Sequence, residues 1–311
     1  MWIRSGWRKS GLVLALVASP LAGSPLAASQ SAREPYTISA DVDLVLLDVS
    51  VKNPHGGFVS GLEKSNFRVL EDGHARTITH FASVDTPVTV GLVMDDSGSM
   101  RNKRTEVVTA GLAFAKSSNS QDEFFVVNFN NSVVRGLPPH VPFTDDLQIL
   151  RAGLYYGEPV GQTALYDAVA YALKHLERGH RDKRTLIVVS DGGDNVSHLS
   201  LSQLMVSVVA SRATIYTVGL FDQEDRELNP GVLRKLANVS GGEYFQPASL
   251  DQVIPVFEKI SKDIRNRYTV GYIPDGSDQR TVRSVKVSAQ ERGRKLSVKT
   301  RTNYSVPPRL H

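Results

Sequence analysis

The chain has 311 residues, of which 41% are hydrophobic and 22% charged, a composition that is typical of a globular protein with a sizeable core. Its 36 Lys and Arg against 32 Asp and Glu give a formal charge of +4. Because the sequence contains no Cys, disulfides, thiol chemistry and a Cys-linked lipid anchor are excluded.

Residues 1–29 have the layout of a secretory signal peptide. A cationic start precedes an apolar stretch, and small residues at Ala27 and Ser29 predict cleavage before Gln30. The alternative is a membrane anchor, but the apolar run is short for a bilayer span and Pro20 interrupts it. Cleavage removes three positive charges and no negative ones, so the charge falls from +4 to +1. We therefore expect an exported protein, periplasmic or secreted, that does not bind nucleic acid and has no membrane span.

The alternating apolar pattern of residues 30–86 predicts a small N-terminal β unit. The segment around VDLVLLDVSV alternates as a strand does, and the neighbouring Leu46 and Leu47 indicate a bulge or a strand that switches sheets at the change of phase. Asp72 and Gly73 are a hairpin signal between a strand that begins at Phe67 and a return strand. Nothing in this unit indicates catalysis.

Residues 87–267 change to strands that alternate with helices, the pattern of an α/β domain. The apolar runs predict strands, and the helical spacing of apolar residues predicts helices between them. The predicted strands are 88–93, 124–129, 133–137, 186–189 and 214–220, and the predicted helices are 104–116, 163–176, 232–237 and 253–264.

Residues 268–311 return to alternating β patterns, with too few strands for a stable sheet of their own. Since the N-terminal unit is equally short of partners, we expect both ends to pack together as one β-sandwich, with the α/β domain inserted between them. From Gly276 onward nine Lys and Arg stand against two Asp and Glu. We interpret these residues as the solvated face of strands; the alternative is a patch that binds polyanions.

The stretch VTVGLVMDDSGSM joins a buried strand to a loop that is rich in oxygen ligands. Asp95, Ser97 and Ser99 offer one carboxylate and two hydroxyls at alternate positions, and Gly98 permits the tight turn between them. Such hard oxygen donors suit Mg²⁺ or another small hard cation.

These residues, together with Thr163 in GQTALYDAV and Asp191 in TLIVVSDGGDN, resemble the metal-ion-dependent adhesion site of von Willebrand factor A (VWA) domains. The resemblance covers about Pro87 to Arg267. The flanking segments also resemble VWA-related proteins of acidobacteria. The resemblance implies a doubly wound, mostly parallel six-stranded sheet with helices on both faces.

The resemblance also implies the roles of the site residues. Ser97, Ser99 and Thr163 are expected to ligate the metal directly, and Asp95 and Asp191 partly through water. The expected ion is Mg²⁺, with Mn²⁺ or Ca²⁺ as alternatives. A protein partner would then contribute an Asp or Glu carboxylate to the vacant metal position, so the predicted function is metal-dependent, adhesion-type protein binding without enzymatic activity.

Three alternatives remain open at this point. Thr163 stands where a helix N-cap is expected, so it can serve for capping alone. The metal can activate water for hydrolysis, with Asp96 or Asp194 as a base, although we expect both to be exposed loop carboxylates; the nearest histidine is His198. The domain can also be a structural module with a vestigial site.

Overall fold

The computed structural model describes residues 44–221, 229–275 and 280–306. The predicted signal peptide and its cleavage point lie outside these residues. Within the described ranges, no helix combines the length and the apolar character that a bilayer crossing requires.

The described chain contains six α-helices and fifteen strands. The strands are β1 (Val45–Lys52), β2 (Phe67–Glu71), β3 (His74–Arg76), β4 (Ile78–Ala82), β5 (Val88–Asp95), β6 (Glu123–Phe129), β7 (Val133–Arg135), β8 (Lys183–Ser190), β9 (Thr214–Gly219), β10 (Tyr244–Phe245), β11 (Tyr268–Tyr272), β12 (Val282–Glu291), β13 (Arg294–Lys295), β14 (Ser297–Lys299) and β15 (Asn303–Ser305). The helices are α1 (Arg104–Lys116), α2 (Leu147–Leu154), α3 (Leu165–Leu176), α4 (Leu201–Ala210), α5 (Pro230–Ser240) and α6 (Val253–Arg265).

The central sheet has six strands in the order β10-β9-β8-β5-β6-β7. All its pairings are parallel except that of the edge strand β7, which runs antiparallel to β6. Strand β5 is buried along its whole length. Its near-continuous apolar sequence is typical of a strand that is covered on both faces. Helix α1 packs on α2 and α6, while α3 packs on α4 and α4 on α5. The predicted doubly wound fold is confirmed.

Two antiparallel sheets join the two ends of the chain. One has the order β14-β1-β11-β4, and the other has the order β13-β12-β2-β3, with β15 pairing to β12. Their facing side chains share one core, in which the ring of Phe67 lies 5.1 Å from that of Tyr268. The predicted sandwich of N-terminal and C-terminal strands is therefore present.

Some local predictions are wrong. Strand β1 pairs with β11 without a register shift through residues 45–49, so the predicted bulge at Leu46 is absent there. The return strand of the hairpin is divided at Thr77, because β3 pairs in one sheet and β4 in the other. Helices α2 and α4 were not predicted. In α4, β-branched residues weaken the helical pattern, and the Ser200 side chain starts the helix by accepting a hydrogen bond from Gln203 N.

A buried acid connects the central sheet, α6 and the sandwich. Asp263 of α6 accepts hydrogen bonds from Ser50 of β1 at 2.5 Å and from Tyr216 of β9 at 2.5 Å. Its Oδ2 also lies 2.7 Å from Nη2 of the buried Arg267. Arg267 in turn donates to the carbonyl of Gly241. Although burial by itself raises the pKa of Asp263, Arg267 and the two hydroxyl donors hold it below its ordinary value.

The sandwich lies at the amino ends of the parallel strands. Lys183, the first residue of β8, is 3.9 Å from Asp48 of β1. Arg301, which precedes β15, donates to the carbonyl of Ser211, three residues before β9 begins. The carboxyl ends of β5 and β8 are therefore left free of the sandwich.

The first prediction concerns domain boundaries. A fragment of residues 87–267 should fold alone, since its apolar core consists entirely of residues 88–264 and Asp263 loses only the Ser50 donor. Residues 30–85 should not fold alone, because Leu47 and Val69 pack with strands from beyond residue 267. Urea unfolding followed by circular dichroism tests both. A cooperative transition in the N-terminal fragment would contradict the insertion arrangement.

The second prediction is that Asp263→Ala lowers the free energy of unfolding by about 3–5 kcal/mol, because it leaves the Arg267 guanidinium buried without its counter-charge. The double variant Asp263→Leu with Arg267→Met should cost less than the sum of the single changes. Urea denaturation measures all of these values. Glu258→Ala, an exposed acid on the same helix, is the matched control and should change stability by less than about 0.5 kcal/mol. Additive single effects would show that the pair is not coupled.

Candidate functional site

The loop after β5 places a buried carboxylate at the carboxyl end of the central sheet. Asp95, the last residue of β5, is 4% exposed. Its Oδ1 accepts a hydrogen bond from Ser97 N at 2.9 Å, and its Oδ2 accepts one from the Ser190 hydroxyl at 2.6 Å. Ser190 ends the neighbouring strand β8, so the two strands are joined across their carboxyl ends by a side-chain hydrogen bond.

The two serine hydroxyls connect this loop to Asp191. Ser99 Oγ donates to Asp191 Oδ2 at 2.6 Å, and Ser97 Oγ lies 3.1 Å from Ser99 Oγ. The second Asp191 oxygen accepts the amide of Gly193 at 3.0 Å. Asp95, Ser97, Ser99 and Asp191 therefore form one hydrogen-bonded group, although 92 residues separate Ser99 from Asp191.

Thr163 is positioned by the loop after β8. Its amide donates to Asn195 Oδ1 at 2.8 Å, and its carbonyl accepts from Asn195 N at 3.0 Å. The alternative role of Thr163, capping alone, does not fit the structure, because α3 begins at Leu165 with Ala164 in the cap position. Asp194 supplies the capping oxygen instead: its Oδ1 accepts the amide of Tyr166 at 3.0 Å. The Thr163 hydroxyl has no hydrogen-bond partner among the described residues.

Four of the five predicted ligands line one cleft of about 250 Å³, which we call the Ser97 cleft. Its side chains include Ser97, Ser99, Thr163, Asp191 and Asn195. Asp95 is not among the lining residues; it lies behind them and reaches the cleft through its neighbours. In the central sheet, β5 lies between β6 and β8, so the strand order reverses at β5. The cleft lies at this switch point, which is where open α/β sheets bind ligands.

The electrostatics of the site favour a positive charge. Burial, together with repulsion by Asp191, raises the pKa of Asp95 to about 7 despite the hydrogen bonds from Ser190 and Ser97. Among the described residues that line the Ser97 cleft, none is Lys or Arg. The described chain holds no cluster of three His, Cys, Asp or Glu side chains with metal-binding geometry. The cleft itself is lined by one carboxylate, that of Asp191, and by three hydroxyls, while the second carboxylate, that of Asp95, lies behind them. That donor set is one of hard oxygens and fits Mg²⁺, Mn²⁺ or Ca²⁺ rather than a soft metal.

Asp96 and Asp194, the two carboxylates considered as general bases, do not line the Ser97 cleft. Asp96 was expected to be exposed, and this is wrong: it is 4% exposed, burial raises its pKa to about 6, and it pairs with Arg104 at 3.4 Å. It lines a separate small pocket beside Asn128. Asp194 was also expected to be exposed, but it is half-buried and accepts hydrogen bonds from Tyr166 N and the Ser197 hydroxyl. The His198 side chain is 96% exposed and lies 2.9 Å from Asp167.

Several residues of the site have no recognisable sequence pattern. Ser190 holds Asp95, and Asn195 holds Thr163; both stand close to Asp191 in the sequence, but no local pattern marks them. The loop of residues 155–162 forms a rim and is joined to the site by the hydrogen bond from Gly98 N to Gly161 O at 3.1 Å. Tyr156 of this loop is exposed.

Part of the chain is similar to a known family. Residues 90–193 match the family model described as von Willebrand factor type A domain. A search of curated proteins gave no match.

Among solved structures, the chain is similar to von Willebrand factor type A from Catenulispora acidiphila, with 13% identity over 85% of this chain and 74% of that one and a TM-score of 0.51. It is also similar to proximal thread matrix protein 1 from the mussel byssus, with 15% identity, 63% and 51% coverage and a TM-score of 0.50. The von Willebrand factor domain of the type V pili tip protein Mfa5 from Porphyromonas gingivalis matches with 14% identity, 58% and 96% coverage and a TM-score of 0.45. At these identities the first two similarities establish the fold alone.

Proposed function

Because the chain carries a von Willebrand factor type A domain, we propose that it is a protein-binding module that recognises its partner through a divalent metal ion in the Ser97 cleft. The observation that carries this proposal is the convergence of Ser97, Ser99, Thr163 and Asp191 on one cleft, with the buried Asp95 directly behind them. The preferred ion is Mg²⁺; Mn²⁺ and Ca²⁺ also bind hard oxygen ligands.

The five residues have different roles in this proposal. The hydroxyls of Ser97, Ser99 and Thr163 would contact the ion directly, as would an oxygen of Asp191 or a water that it binds. Asp95 would act through water or through the serine hydroxyls, since it does not line the cleft. Asp95 and Asp191 together balance the charge of a divalent ion, and waters would fill its remaining coordination positions. An Asp or Glu carboxylate of the partner protein would displace one of these waters.

Recognition is better supported than hydrolysis. A metal-dependent hydrolase needs a general base within hydrogen-bond reach of the attacking water. Asp96 pairs with Arg104, Asp194 caps α3, and the His198 ring lies beside Asp167. None of the three lines the Ser97 cleft. The alternative of a structural module with a vestigial site predicts no metal binding, and the metal titration below distinguishes it from the proposal.

We also propose that the protein acts outside the cytoplasm, in the periplasm or after secretion. The support is the signal-peptide pattern of residues 1–29.

The third prediction is saturable binding of Mg²⁺ or Mn²⁺ at one principal site. Asp191→Ala should weaken it at least tenfold, because it removes a carboxylate that lines the cleft. Ser190→Ala should weaken it by about 10–100-fold, the usual effect of removing a group that orients a ligand. Isothermal titration calorimetry measures these affinities. Asp145→Ala, an exposed acid outside the cleft, is the control, and equal affinity in all four proteins would refute the metal site.

The fourth prediction is metal-dependent capture of a protein partner from envelope or culture fractions. EDTA, Ser97→Ala, or amidation of the carboxylates in the extract should each abolish capture, since removing one side of a direct charged contact costs about 2–5 kcal/mol. Quantitative pull-down with Asp145→Ala as the control measures the effect. Metal-dependent turnover of phosphoester or peptide substrates that Asp191→Ala abolishes would instead establish an enzyme.

A further inference from the structure

A second cleft lies at the opposite end of the central sheet, between the sandwich and the end of α4. It has a volume of about 380 Å³, which is within the size range of small-molecule sites. We call it the Arg301 cleft. Its walls come from the start of β1, the segment between α4 and β9, and the residues around β15.

Arg301 supplies this cleft with a buried charge. The residue is 8% exposed, and its Nη2 donates to the carbonyls of Ser211 at 2.6 Å and Ala213 at 3.4 Å. No described Asp or Glu forms an ion pair with it. The acid that acts on it most strongly, Asp48, lies 3.9 Å from Lys183 instead. Burial lowers the pKa of Arg301 to about 10, so the guanidinium remains charged at neutral pH.

A buried guanidinium without an acid is costly unless something else compensates its charge. The nearby carboxylate of Glu71 is not available to it, because Glu71 accepts from Arg76 and Arg283 and from the Tyr304 hydroxyl. Arg212 is exposed and also lines the cleft, and its charge lowers the pKa of Arg301 further. The two arginines therefore make one end of the cleft strongly attractive to an anion.

The rest of the wall is apolar. Leu44 and Leu46 remain 37% and 43% exposed beside the cleft, although Leu47 of the same strand is fully buried in the sandwich. Val306 and Pro274 continue this surface. A ligand that covers these side chains removes apolar area from water, which stabilises its binding.

We propose that the Arg301 cleft binds an amphiphilic monocarboxylate, whose carboxylate pairs with Arg301 and Arg212 while its apolar chain lies along Leu44, Leu46 and Val306. The inference is independent of the metal-dependent function, because the two clefts lie at opposite ends of the parallel strands.

The fifth prediction tests this assignment with decanoate, titrated into the purified protein by calorimetry below its micellar concentration. Excess EDTA is present throughout, so that binding of the carboxylate to a metal in the Ser97 cleft does not contribute. Decanoate should bind saturably at one site. Decanol, which lacks the charge, should bind at least tenfold more weakly, and decyltrimethylammonium should not bind.

The variants locate the site. Arg212→Glu should weaken decanoate binding at least tenfold without loss of fold, since the side chain is exposed; Arg301→Gln should do the same if its thermal melt is cooperative. Arg68→Glu, an exposed arginine of β2 outside the cleft, is the matched control and should bind as the unmodified protein does. Absence of saturable decanoate binding, equal affinity for decanol, or unchanged affinity in Arg212→Glu would each overturn the proposal.

Discussion

The buried ion pair between Asp263 and Arg267 sets the relation between the α/β domain and the sandwich. The Asp263 carboxylate accepts hydrogen bonds from Tyr216 of the central sheet and from Ser50 of the sandwich. One acid on α6 therefore connects this helix, the central sheet and the sandwich. The contact requires β1 to lie at the amino ends of the parallel strands. The carboxyl ends, where the Ser97 cleft forms, therefore stay accessible, and the accessibility of the candidate site depends on where this pair is buried.

Two buried aspartates show how the same side chain serves different purposes. Asp263 meets a guanidinium and two hydroxyls, which keep its pKa below the ordinary value although burial raises it. Asp95 accepts hydrogen bonds only from uncharged donors, Ser190 and Ser97. Burial and repulsion by the Asp191 carboxylate therefore raise the pKa of Asp95 to about 7. A buried carboxylate whose negative charge is balanced by a cation of the protein stabilises the fold. A buried carboxylate without such a cation favours the binding of a positive charge from outside the protein.

Arg301 presents the converse case. It is a buried cation for which the described residues provide backbone carbonyls and no acid, while Arg212 adds a second positive charge at the same cleft. The molecule thus has a cleft that attracts cations at one end of its central sheet and a cleft that attracts anions at the other.

The buried strands and the grouping of Asp95, Ser97 and Ser99 in one loop can be predicted from the amino-acid sequence, because two-sided burial and loop spacing are encoded in adjacent residues. The sequence did not determine that Asp194 caps α3, that Ser190 holds Asp95, or that Arg301 lies far from an acid. These features join residues 28 positions apart in the first case and 95 in the second. They became visible in the folded protein alone. A hydrogen bond between distant residues, or the lack of a counter-charge, depends on which surfaces the fold brings together, and neither leaves a periodic pattern in the sequence.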